Sequence, residues 1–220
     1  MSLLPEKITA EVRNEFVKLQ RRVKIIFFTQ EVECGFCRDT RQLVEEVANL
    51  SPLIDLEIYD FKTDFEKAAA LGVDKIPGMA VVGEQDSGIR FYGIPSGYEF
   101  TSFITAILAV GSDGLTLKPN TISGLKTVAH PVHIQVMVTP TCPYCPRAVT
   151  TAQLFALSNP NIRADMVEVS EFPQLVQKYG VQGVPLTIVN ETEKLVGAVP
   201  EQQLLAAVLK TAPQKRDSVS

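Results

Sequence analysis

The four cysteines of this 220-residue chain form two pairs with the same spacing, Cys34-Gly-Phe-Cys37 and Cys142-Pro-Tyr-Cys145. Two thiols with this CxxC spacing can exchange electrons with a disulfide. One thiolate attacks a sulfur atom to form a mixed disulfide, and the second thiol then displaces it. The same spacing also supplies half of a zinc site. The cysteines therefore indicate thiol–disulfide exchange or metal binding.

Each pair follows a predicted strand and opens a predicted helix. Short runs rich in β-branched and aromatic residues, at Val23–Thr29 and Val132–Val138, predict buried strands. Apolar residues at helical spacing follow the cysteines, at Arg38–Leu50 and Arg147–Leu157. The pairs therefore belong to a strand–CxxC–helix unit that occurs twice.

The start of a helix favours the thiolate form of a cysteine. Backbone N–H groups are unpaired there, and the helix dipole is positive at this end. We therefore predict that Cys34 and Cys142 are the nucleophiles, and that Cys37 and Cys145 resolve the mixed disulfides.

Two other uses of the cysteines fit the sequence less well. A zinc ribbon places its pairs about 15–20 residues apart, whereas 104 residues separate Cys37 from Cys142. Purely structural disulfides across such short loops would constrain the unfolded chain little. A metal or iron–sulfur carrier stays open as an alternative, because thiolates bind soft metals.

A single offset of 108 positions relates the two halves of the chain. It links Cys34 to Cys142, Gly72 to Gly180, and Pro77 to Pro185. The repeat predicts a tandem duplication, with one unit at residues 1–114 and a second at 115–220. A polar tail at 212–220 is expected to fray.

The order of predicted elements gives the fold class. Each unit reads strand–helix–strand–helix–strand–strand–helix. A βαβ start followed by a hairpin predicts an α/β fold. Each unit would have a mixed sheet of four or slightly more strands, flanked by helices.

A strand–CxxC–helix unit with a proline before its third strand resembles the thioredoxin fold, and Cys-Pro-Tyr-Cys is typical of glutaredoxins. Two such units in tandem resemble the protein disulfide oxidoreductases. This resemblance implies an enzyme that reduces, oxidises or isomerises protein disulfides without a bound cofactor. It also implies an NADPH-dependent thioredoxin reductase as the electron donor.

The resemblance also implies a substrate-binding role for two X–Pro pairs, Ile76-Pro77 and Val184-Pro185. In the thioredoxin family a cis-proline at this position faces the nucleophile. The residue before it offers its backbone groups to an extended substrate, as a neighbouring strand would.

The group that handles protons is not evident from the sequence. Thioredoxins carry a buried aspartate six residues before the first cysteine, where this chain has Phe28 and Val136. The second predicted strand of each unit offers acidic pairs instead, Glu57 with Asp165 and Asp60 with Glu168. The latter two lie near the end of the strand where α/β sheets place their chemistry. Solvated carboxylates are the alternative.

Composition excludes several other classes of function. The net charge of −4 gives no electrostatic footprint for nucleic acid, and no apolar run approaches the length of a membrane helix. The N-terminus lacks the pattern of a secretory signal, so we expect a cytoplasmic protein. A relay domain that passes electrons to a peroxiredoxin system is a further alternative, although two intact CxxC pairs favour independent activity.

Overall fold

One continuous sheet of eight strands runs through both halves of the chain in the computed structural model, which describes residues 2–211. The strands are β1 (Val23–Thr29), β2 (Ile54–Asp60), β3 (Gly78–Val82), β4 (Ile89–Tyr92), β5 (Val132–Val138), β6 (Ile162–Glu168), β7 (Leu186–Val189) and β8 (Glu193–Val196). The helices are α1 (Glu6–Phe16), α2 (Cys37–Ala48), α3 (Phe65–Ala70), α4 (Glu99–Gly111), α5 (Pro119–Leu125), α6 (Cys145–Ser158), α7 (Pro173–Tyr179) and α8 (Glu201–Lys210).

The strand order across the sheet is β2-β1-β3-β4-β6-β5-β7-β8. Within each half, the first two strands run parallel and the hairpin strands complete a mixed four-stranded sheet. The predicted α/β class and the mixed sheets are therefore confirmed.

The two sheets are not separate. β4 of the first half pairs in parallel with β6 of the second, which satisfies the backbone groups that an edge strand leaves unpaired. The sequence pattern did not predict this junction, because strand periodicity does not specify which edges meet.

Helices cover both faces of the sheet. The helices that the cysteines open, α2 and α6, lie on one face with α4 and α8, where Val44, Phe103 and Val149 belong to a common core. The short helices α3 and α7 pack on the other face, through Ala68 and Tyr179. The polar tail at 212–220 lies outside the described residues.

The internal repeat has one local irregularity. β2 and β6 start 108 positions apart, but β1 and β5 start 109 apart, so the first half has one more residue between its strand and its CxxC pair. Glu33, in this loop, adopts a left-handed φ of 63°. As a result, Phe28 and Val136 face opposite sides of the sheet, although each lies six residues before a cysteine.

Candidate active sites

Each CxxC pair forms a disulfide at the start of a helix. Cys34 is bonded to Cys37, the first residue of α2, and Cys142 is bonded to Cys145, the first residue of α6. The Cα atoms of each pair are 5.5 Å apart. Within the described chain, no side chain caps either helix start, so the first-turn N–H groups favour negative charge on the sulfur.

The two cysteines of a pair differ in exposure. Cys37 is 2% exposed and Cys145 is fully buried, whereas Cys34 is half-buried and Cys142 is 7% exposed. In both pairs the first cysteine is the more accessible one. This arrangement suits attack by the first thiolate and resolution by the second.

The two X–Pro pairs each lie directly before a strand that pairs with β1 or β5. Both peptide bonds, Ile76-Pro77 and Val184-Pro185, are cis, as the resemblance implies. Each proline precedes the strand that pairs antiparallel with β1 or β5, so it lies at the sheet edge where the CxxC loop begins. The backbones of Ile76 and Val184 make no hydrogen bond with another described residue, so both are free to pair with a bound segment.

The acidic residues singled out in the sequence already have hydrogen-bond or ion-pair partners. Asp60 accepts the backbone N–H groups of Lys62 and Thr63, both at 2.9 Å, and the Thr63 N–H lowers the pKa of Asp60. Glu168 accepts two backbone N–H groups in the turn after β6.

The other acidic pair is also occupied. Glu57 binds Lys24 at 2.7 Å, and this hydrogen bond lowers the pKa of Glu57. Asp165 lies 2.6 Å from a ring nitrogen of His133, and its carboxylate is also 3.2 Å from Arg163. None of the four carboxylates is a free proton acceptor beside a disulfide.

A carboxyl that the sequence did not single out is better placed. Glu99 begins α4, is fully buried, and has no hydrogen-bond partner among the described residues for either carboxyl oxygen. α4 packs against α6, which starts at Cys145. The N–H of the preceding Tyr98 donates to the carbonyl of Pro140 at 2.9 Å, two residues before Cys142.

Burial raises the pKa of the Glu99 carboxyl to about 7. At neutral pH the Glu99 carboxyl is therefore divided between its protonated and ionised forms, so it can both take up and release a proton there. Sequence patterns did not reveal this role of Glu99. An acidic residue in the first turn of a helix is ordinarily exposed, where its negative charge interacts favourably with the helix dipole.

Residues 93–98, the bridging segment, bring Glu99 to this position. Gly93 and Gly97 have φ values of 84° and 59°. A Cβ atom on Gly97 would lie 2.3 Å from the carbonyl oxygen of Pro140. The Ile94 N–H donates to the Glu171 carboxylate at 2.6 Å. A segment of the first half therefore forms part of the surroundings of the second disulfide.

A cavity of about 500 Å³ lies beside the first disulfide and is lined by both Cys34 and Cys37.

Among residues 2–211, no group of three or more His, Cys, Asp or Glu side chains could hold a metal ion. No helix in the same part of the chain is long and apolar enough to cross a membrane.

Fold and sites together are those of a thioredoxin-type oxidoreductase with two CxxC centres. A thioredoxin domain model matches residues 132–210. The crystal structure of a protein disulfide oxidoreductase from Aeropyrum pernix is 31% identical, with a TM-score of 0.87, and the match covers 93% of this chain and 91% of that one. This chain belongs to the family of tandem thioredoxin-fold protein disulfide oxidoreductases.

Two further relatives come from larger proteins. The NTD_N/C domain of alkylhydroperoxide reductase from Enterococcus faecalis is 27% identical with a TM-score of 0.87, over 93% of this chain and 99% of that one. An NADH dehydrogenase from Ferdinandcohnia aciditolerans is 30% identical over 168 residues, which are 76% of this chain and 30% of that protein. This chain spans about a third of the length of the curated relatives it matches.

Proposed function

We propose that the protein is a dithiol–disulfide oxidoreductase that acts on protein disulfides. The observation that supports the proposal is the same in both halves: a CxxC pair at a helix start and a cis-proline belong to the same edge of the sheet. The residue before that proline has an unpaired backbone, which suits an extended polypeptide better than a small compact ligand.

The proposed reaction follows from the difference in exposure between the two cysteines of each pair. In reductive turnover, the thiolate of Cys34 or Cys142 attacks one sulfur of a substrate disulfide and releases the other as a thiolate, which takes a proton from solvent. The buried Cys37 or Cys145 then attacks the mixed disulfide. The substrate gains two electrons and leaves as a dithiol, and the CxxC pair becomes a disulfide. Oxidation runs the same steps in reverse, and isomerisation combines the two directions.

Glu99 is the proposed proton acceptor of the second site. Cys145 must lose a proton before it can resolve a mixed disulfide, and it is fully buried. A carboxyl with a pKa of about 7 can take this proton near neutral pH. In the mixed-disulfide step, Glu99 would receive the Cys145 proton and release it later to solvent.

The exchange itself needs no bound cofactor, so the reducing equivalents come from a partner. An NADPH-dependent thioredoxin reductase is the proposed donor, and disulfide-bonded proteins are the proposed acceptors. We place this activity in the cytoplasm, where dithiol enzymes are kept in their reduced form.

A second candidate function is an electron relay to a peroxidase. It is supported by the likeness to the alkylhydroperoxide reductase domain over 93% of the chain. A relay would reduce an oxidised peroxidase much faster than insulin, whereas a general oxidoreductase would reduce both. Initial rates with the two substrates discriminate between the candidates.

Serine variants test the proposed function. The double variant Cys34→Ser with Cys142→Ser is expected to lose insulin-disulfide reduction, because both attacking sulfurs are gone. Cys37→Ser or Cys145→Ser should instead trap mixed disulfides, visible as higher-mass species on non-reducing gels. Substantial activity in the double variant would show that the CxxC thiols do not carry the reaction.

A further inference from the structure

The cavity beside the first disulfide has no role in the exchange steps above. It is open to solvent and lies next to the reacting sulfurs. Besides the two cysteines, its wall contains four charged side chains, Glu31, Arg38, Arg41 and Asp60.

In the second half of the molecule, the surface that corresponds to this cavity is not open but is covered by other parts of the chain. Because α2 and α6 start 108 positions apart, Arg38 and Arg41 correspond to Pro146 and Val149. Val149 is 1% exposed in the core that α4 and α6 share. Arg38 and Arg41 are both exposed. The same helix face therefore carries a buried valine in one unit and two accessible arginines in the other.

The neighbouring strand differs in the same way. β6 lies between β4 and β5, but its counterpart β2 is at the outer edge of the sheet. The first half thus presents an open copy of the surface that β4, the bridging segment and α4 cover in the second half. In the covered copy, the occupant is a strand with the bridging segment after it, followed by a buried carboxyl side chain, Glu99, at the start of α4.

The open surface in the first half differs from the covered one in the charged side chains that it carries. Arg38 makes no hydrogen bond or ion pair with another described residue, and Arg41 makes only a surface pair with Glu45 at 2.8 Å. The Asp60 carboxylate is already held by two backbone N–H groups. Glu31 is exposed and opposes the arginines.

We propose that this cavity receives a glutamate or aspartate side chain from an acidic segment of the redox partner. Arg38 and Arg41 are then specificity-determining residues of the first site. The proposal rests on the proposed function, because it describes which protein disulfides the first site prefers.

A second copy of this chain is a poorer occupant. The segment that follows β8 carries Glu201, but its carboxylate already accepts the Lys118 N–H at 3.1 Å and the Thr121 hydroxyl at 2.9 Å. The edge strand β2 also carries Asp55 and Glu57, and charged residues on an edge discourage pairing between copies.

Paired peptides test the proposal. The probes are a disulfide-bridged peptide with glutamates beside its cysteines and its glutamine twin. Both are reduced by the full chain carrying Cys142→Ser and Cys145→Ser, so that only the first site acts. We expect a preference of about three- to tenfold in kcat/KM for the acidic peptide at low salt, since two exposed charge pairs contribute modestly. The preference should shrink in 0.5 M salt.

Charge variants locate the effect. Arg38→Gln with Arg41→Gln should bring the preference close to one, and Glu31→Gln should increase it. Arg22→Gln is the matched control, because Arg22 is exposed and pairs with Asp55 away from the cavity. The chain with Cys34→Ser and Cys37→Ser, which retains only the second site, should reduce both peptides equally.

Three results would overturn the proposal. Equal rates for the two peptides at the first site would remove its basis, and an equal loss in Arg22→Gln would show a general charge effect. Dimerisation in sedimentation runs that Arg38→Gln with Arg41→Gln abolishes would assign the surface to a second copy. If neither site reduced either peptide, the proposed function itself would fail, which is a distinguishable outcome.

Discussion

Glu99 combines full burial with an ionisable carboxyl, and the energetic cost of that combination depends on pH. Burial raises its folded-state pKa from an ordinary 4.5 to about 7. Between these two values the unfolded chain releases the proton while the folded chain keeps it. The stability that Glu99 contributes is therefore present below pH 4.5 and is lost as the pH rises to about 7.

We expect Glu99→Gln to abolish this pH-dependent loss of stability. At pH 8 the variant should gain up to roughly 3 kcal/mol in unfolding free energy relative to the native chain, with little change at pH 4. In the chain that retains only the second site, the same substitution should slow reduction above pH 7 by roughly 10- to 100-fold and remove the rise in rate near pH 7. Urea titrations and rate–pH profiles measure the two effects.

Glu171→Gln is the matched control for Glu99→Gln. Burial also raises the pKa of Glu171 to about 7, and its Oε1 atom, which accepts the Ile94 N–H, is retained as an acceptor in glutamine. This control should gain stability at pH 8 but keep the rise in rate near pH 7. Loss of that rise in Glu171→Gln as well would show that the titration does not report proton transfer by Glu99.

At the scale of elements, the bridging segment connects the first half of the chain to the loop that leads into the second CxxC pair. Gly97→Ala would place a Cβ atom 2.3 Å from the Pro140 carbonyl oxygen, so the segment and the loop before Cys142 must separate. We expect reduction at the second site to fall several-fold, with a smaller effect at the first site. Single-site chains with each pair of cysteines changed to serine separate the two rates.

Gly114→Ala controls for backbone strain alone. Gly114 also has a positive φ, of 141°, but nothing lies within 4 Å of the added Cβ atom. This variant should keep both rates. Equal losses at both sites in Gly97→Ala, or a comparable loss in Gly114→Ala, would argue against a positioning role for the bridging segment.

At the scale of the whole molecule, both CxxC disulfides lie on the same edge and the same face of one sheet. The strands that lead into them, β1 and β5, are separated by β3, β4 and β6. Four strand spacings amount to about 19 Å, whereas thiol–disulfide exchange requires direct contact between sulfur atoms. The two sites of one molecule therefore do not exchange electrons directly.

We expect exchange between the two sites to take place between molecules. After partial reduction with dithiothreitol and removal of the reductant, the two CxxC pairs should equilibrate at a rate proportional to protein concentration. Alkylation followed by peptide mapping measures the reduced fraction of each pair at two concentrations tenfold apart. A rate independent of concentration would show that the sites meet within one molecule.

The division into units at residues 1–114 and 115–220 stays a prediction. The β4–β6 pairing and the position of Glu99 join the two halves. A cut at this boundary would expose the edge of β6 and remove Glu99 from the second site.

The sequence by itself determined the repeat, the α/β class, the two CxxC pairs at helix starts and the positions of the two prolines. The repeat is a constant offset of 108 positions between matching residues. The other features depend on spacing and periodicity within about 45 consecutive residues, which local patterns record. Only the tertiary structure decided that the two sheets merge, that Glu99 is buried in a helix that packs against α6, and that Arg38 and Arg41 line an open cavity. Each of these depends on which edge of one unit meets the other. Neither an edge strand nor a first-turn glutamate carries a local signal that specifies its distant neighbour.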